Sequence, residues 1–136
     1  MRALLTQYFA SAAAPEIVAA YLFGSHARGN AHADSDVDVA VLFDRHLLPS
    51  RAARSGRADR LASQLIDVTH CNAIDVIVLN DAPPELAVVA IDAGALLTAP
   101  SEESVRTFTR DVRLRLADLR PFLDRARRAT LDALVR

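Results

Sequence analysis

Residues 36–43 read Asp-Val-Asp-Val-Ala-Val-Leu-Phe, and this alternation constrains the fold more than any other feature of the chain. Successive side chains of a strand point to opposite faces, so a period of two separates acids from valines. The segment predicts a strand with Asp36 and Asp38 on one face and Val37 and Val39 on the other. Two more runs have strand length. Ile17 to Phe23 is continuously apolar and ends at Gly24-Ser25, and residues 72–79 read Asn-Ala-Ile-Asp-Val-Ile-Val-Leu, rich in β-branched side chains. Residues 95–98 suit a short edge strand.

Helical patterns fill the remainder. Residues 2–13 place Leu4, Leu5, Tyr8 and Phe9 at helical spacing, and Pro15 stops them. Residues 50–69 carry the apolar stripe Ala58, Leu61, Ala62, Leu65 and Ile66. Pro83-Pro84 opens a further helix, with Gly94 as its C-cap. From Ser101, a good N-cap, one face runs through Val105, Phe108, Val112, Leu116, Leu119, Leu123 and Ala126. Pro121 is expected to kink this segment or split it into two helices. The order predicts an α/β (α+β) domain with a small sheet. At 136 residues the chain suits one domain, with a core over residues 1–100 and a helical tail over 101–136 packed on it.

Composition excludes several chemistries. There is no lysine, so neither a P-loop lysine nor a lysine nucleophile is available. Cys71 is the single cysteine, so no internal disulfide forms, which fits a reducing cytoplasm. A net charge of −1 supplies no field toward nucleic acid or a membrane surface. No apolar run approaches the ~18 residues of a membrane span. Thr6 and Gln7 interrupt the N-terminal apolar stretch, which reads as an amphipathic helix and not as a signal peptide.

The chemistry concentrates in Gly24-Ser25-His26-Ala27-Arg28-Gly29-Asn30-Ala31-His32-Ala33-Asp34-Ser35-Asp36-Val37-Asp38. Gly24 has no side chain, so backbone and ligand can approach closely. Ser25 offers a hydroxyl at the start of a turn whose N–H groups suit phosphate oxygens. Asp36 and Asp38 are hard oxygen donors whose mutual repulsion a divalent cation relieves, and Mg²⁺ completes its shell with phosphates and water. Asp75 interrupts the third apolar run between Ile74 and Val76. Should that strand lie beside the second, three carboxylates would share a two-metal phosphoryl-transfer site. Arg28 is a candidate phosphate contact.

Leu22-Phe23-Gly24-Ser25 with Ala27-Arg28-Gly29, then Asp34-Ser35-Asp36-Val37-Asp38, resembles the DNA polymerase β nucleotidyltransferase superfamily. Within it the pattern is most similar to minimal nucleotidyltransferases, the MNT or MntA-like antitoxins. The resemblance implies a polymerase β-like fold, a small mixed sheet with packed helices. It implies triphosphate on Ser25, and magnesium on Asp36, Asp38 and Asp75. It also implies AMP transfer from ATP to a tyrosine of a HEPN-domain ribonuclease toxin, the partner it neutralises. Two alternatives stay open: an antitoxin that binds its toxin stoichiometrically with a vestigial nucleotide site, and a small-molecule nucleotidyltransferase that works with a partner subunit. A homodimer and a hetero-oligomer are both compatible with the sequence.

Other polar residues near the motif have simpler readings. Asp34 and Ser35 shape the turn into the strand. His26 and His32 read as solvated, and Cys71 as a small apolar residue at a strand edge. Residues 101–136 hold nine arginines against six acids, whereas residues 1–100 hold seven against eleven. The tail arginines read as a solvated face paired with Asp111, Asp118 and Asp124, with docking of an acidic partner or a reach toward the triphosphate as the functional alternatives.

Overall fold

The computed structural model describes residues 1–24, 26, 29 and 36–135. Its elements are α1 (Arg2–Ser11), β1 (Ile17–Phe23), β2 (Val37–Phe43), α2 (Arg51–Thr69), β3 (Ile74–Val78), a 3-10 turn at Leu79–Asp81, α3 (Pro84–Ala93), β4 (Ala95–Thr98) and α4 (Glu102–Val135). The strands form one mixed sheet in the order β3-β2-β1-β4. β1 pairs antiparallel with both β2 and β4, and β2 pairs parallel with β3. A parallel pair needs a long crossover, and α2 supplies it.

Each sheet face has its own core. Val37, Val39, Val41 and Phe43 of β2 are buried with Leu5 and Phe9 of α1 and Leu61 and Leu65 of α2. The opposite face buries Ala19, Tyr21, Ala40 and Leu42 against Ala87 and Ala90 of α3 and Val112 of α4. Alternation along β2 sorts its residues between these cores.

Caps follow the local sequence. Ser50 Oγ accepts from the Ala53 N–H at 3.0 Å, and Ser101 Oγ from the Ser104 N–H at 3.3 Å. α3 starts at Pro84, where the missing N–H costs nothing. Gly94 stands at the C-cap of α3, but its backbone is extended (φ −77°, ψ 156°), not left-handed. Glycine is needed there for space, because a Cβ would lie 2.2 Å from the Ala90 carbonyl oxygen.

The expected break at Pro121 does not split α4, which is a single helix with Pro121 inside. The proline deprives the Ala117 carbonyl of its helical donor. Both residues are exposed, so water can satisfy that group.

A buried polar set joins the far end of β2 to the 3-10 turn. The Phe43 N–H donates to Asn80 Oδ1 and the Asn80 amide donates back to the Phe43 carbonyl, each at 2.9 Å. Arg54 grips both Asp81 oxygens at 2.8 and 3.0 Å and donates to the Leu48 carbonyl at 3.0 Å. No helix among the described residues is long and apolar enough to cross a membrane.

Candidate active site

The acids meet at the N-terminal ends of β2 and β3. Asp38 shares the face of Ala40 and Leu42, which belong to the core under α3 and α4. In the parallel register Asp38 lies opposite Asp75. In-register neighbours project to the same face, and Ile74, Val76 and Val78 of β3 pack into the other core. Asp75 therefore stands beside Asp38, exposed where Asp38 is half-buried. Across the antiparallel pair Asp38 faces Phe23.

Asp36 departs from the expected pattern. The strand begins at Val37, whose N–H donates to the Ala73 carbonyl at 2.8 Å. Asp36 precedes the ladder as an exposed residue without regular structure. It is still near enough for its charge to act on Asp38. Burial, then the charges of Asp75 and Asp36, hold the Asp38 carboxyl above its ordinary pKa. His26 pulls in the opposite direction. The solvated reading of His26 is thus incomplete: it is half-buried and couples electrostatically to Asp38.

Gly24 ends β1 with φ +78°, a conformation that disfavours any side chain. A Cβ built there would come within 2.7 Å of Asp38 Oδ2. The glycine leaves the Asp38 carboxylate room to lie against the turn. Ser25 and Arg28, the expected nucleotide contacts, lie outside the described residues, as do His32, Asp34 and Ser35.

The donor set suits a hard divalent cation. Two carboxylates stand side by side on one face, a third flanks them, and their repulsion adds to burial in raising the Asp38 pKa. Among the described residues, no group of three or more His, Cys, Asp or Glu side chains is placed to hold a metal ion. Magnesium needs only one or two carboxylates when phosphates and water fill the other positions. The sequence pattern alone missed three contributors: His26, the Phe23 neighbour of Asp38, and the steric reason for Gly24. The signal for each was its place within three residues of the end of β1.

A family model described as polymerase beta nucleotidyltransferase matches residues 5–103. No curated protein matched the sequence. Solved structures share the fold. A toxin–antitoxin structure with AMP-PNP has 24% identity and a TM-score of 0.63, with 99% of this chain and 98% of that chain covered. A structure of a tri-AMPylated Shewanella oneidensis HEPN toxin in complex with MNT antitoxin has 23% identity and a TM-score of 0.60, with both chains fully covered at 100%. The MntA–HepT toxin–antitoxin structure has 22% identity and a TM-score of 0.59, again with 100% of each chain covered. At these identities the likeness establishes the fold.

Proposed function

Because this chain belongs to the polymerase β nucleotidyltransferase family, we propose that it is a magnesium-dependent antitoxin that transfers AMP from ATP to a tyrosine of a HEPN-domain toxin. The observation that carries this reading is the register of Asp38 with Asp75 beside a glycine whose missing Cβ makes room for the Asp38 carboxylate. The nucleotide analogue in one structural relative and the AMPylated toxin in another support the choice of ATP and of a protein acceptor.

In this mechanism Asp36 and Asp38 anchor magnesium together with Asp75. Bound there, magnesium supplies Lewis-acid stabilisation of the charge that develops on the phosphates. Ser25 and the N–H groups after it hold the leaving phosphates, and Arg28 contacts them. The tyrosine oxygen attacks the α-phosphorus, the bond from that phosphorus to the bridging oxygen of the β-phosphate breaks, and pyrophosphate departs. Asp75, the exposed member of the pair, takes the hydroxyl proton. The acceptor arrives on a second protein, a reading supported by the AMPylated toxin of one structural relative.

Two isotopic positions in ATP test the reading. With the chain, Mg²⁺ and unmodified HEPN-domain partner, α-phosphate label should become covalently attached to the partner, while γ-phosphate label should leave in pyrophosphate. Attachment of the γ label would make the reaction a kinase reaction. A tight complex carrying neither label would favour stoichiometric binding, and label on small molecules alone would favour a free acceptor.

Gly24→Ala should also damage transfer. It forces a side chain into positive φ at a cost of about 1 kcal/mol and displaces the Asp38 carboxylate. A shift of that kind costs roughly 100-fold in rate. Initial rates on folded variant and wild type would show it, and an unchanged rate would mean that the position of Asp38 does not matter.

A further inference from the structure

The apolar stripe of α4 outlasts the body it packs on. Val105, Phe108 and Val112 join the core under α3, and Arg113 pairs with Asp92 of α3. Beyond Val112 no residue of α4 belongs to either core. The stripe nevertheless continues at the same helical spacing through Leu116, Leu119, Leu123, Ala126 and Leu134. Leu119 is 41% exposed and Leu134 is 77% exposed.

Charge around this continuation is one-sided. Residues 113–135 hold six arginines and three aspartates. At 3.6 residues per turn, Arg115 borders one side of the stripe and Arg120 and Arg127 the other, all about 55–75° from its centre. Asp118, Asp124 and Asp132 fall more than about 110° away, on the outer face. Both rims are therefore positive. A second copy in either direction would set arginine against arginine. A stripe with acidic rims would set it against carboxylate.

We propose that the second half of α4 is a docking surface for a helix of a different protein, one whose apolar stripe is flanked by Asp and Glu. Burial of the leucines supplies attraction, and the arginine rims select the partner and its register. The proposal goes beyond nucleotide transfer and needs neither ATP nor the acids of the active site.

The test uses the full chain without nucleotide and two synthetic amphipathic peptides of about 25 residues, long enough to be helical. They share one leucine stripe; one has Glu at every flanking position and the other Arg. Calorimetric titration should show the Glu-flanked peptide binding at least roughly tenfold more tightly, with affinity falling as salt rises. The triple variant Arg115→Glu, Arg120→Glu, Arg127→Glu alters only exposed side chains and should invert that preference. Leu119→Ser with Leu123→Ser should abolish binding of both, with helicity checked by circular dichroism. Sedimentation of the chain alone should show a monomer. Equal binding of the two peptides, binding of neither, or self-association lost in the leucine variant would overturn the proposal. Transfer of label to a HEPN partner is a separate readout, so either idea can fail without the other.

Discussion

Asp38→Asn is expected to lower AMP transfer by at least about a thousandfold, some 4 kcal/mol of transition-state stabilisation, while leaving Tm unchanged or higher. The loss follows from removing a carboxylate that the proposed mechanism uses to anchor magnesium. The stability effect follows from the electrostatics of Asp38. Burial, Asp75 and Asp36 raise its pKa in the folded chain. An acid with a raised folded pKa holds its proton more tightly in the native state, so ionising it costs stability. That cost develops as pH rises from the unfolded value through the raised folded value, and it is fully present at neutral pH. Asparagine removes it. Initial rates and thermal unfolding of the same preparation would check both halves. A variant that transfers at the wild-type rate would remove Asp38 from the mechanism. One that loses activity only by unfolding would make it structural.

Arg54→Ala is expected to destabilise the fold by about 3 kcal/mol, because it strands a half-buried carboxylate without its partner. For a domain of this size that lowers Tm by roughly 10 °C. Arg54 binds Asp81 through two nitrogens and spans to the Leu48 carbonyl, so it ties the loop after β2 to the turn after β3. The hydrogen bond from Arg54, with its charge, holds the Asp81 carboxyl below the usual aspartate pKa. Stability from that pair is present above the unfolded pKa of Asp81 and is lost as pH falls through the depressed folded value. Thermal unfolding from neutral to acidic pH should show wild type and variant converging at the acid end. A variant as stable as wild type at neutral pH would mean that solvent already satisfies Asp81.

The strands were legible because their signals are local. Alternation placed Val37 and Val39 on one face, and the structure buries both there. The run from Ile17 to Phe23 ends where Gly24 turns the chain. The partner of Asp38 was only conditionally legible, since no pattern within residues 72–79 says which strand they join. The α2 crossover decides it and brings Asp75 into register. The boundary at Asp36 failed for a related reason: alternation runs on through residue 36, but the ladder with β3 starts at Val37.

Other features depend on residues distant in sequence. Gly94 is the C-cap that the sequence marks, but its reason is distant: the Ala90 carbonyl and Tyr21 of β1, whose Cβ would lie 3.2 Å from an added methyl, leave no room for a side chain. Arg54, Asn80 and Asp81 carry no apolar signal, so a search for hydrophobic periodicity passes over them. Pro121 does not split α4, because the cost of a proline falls when the orphaned carbonyl faces water. The same exposure leaves the second half of α4 available to a partner.

The most direct test of nucleotidyl transfer is the intact mass of a HEPN-domain partner purified without this chain. Incubation with the chain, ATP and Mg²⁺ should add one or more AMP groups, and fragmentation should place them on tyrosine. The Asp38→Asn chain should add none. A partner that forms a tight complex with the wild-type chain yet keeps its original mass would contradict the assignment.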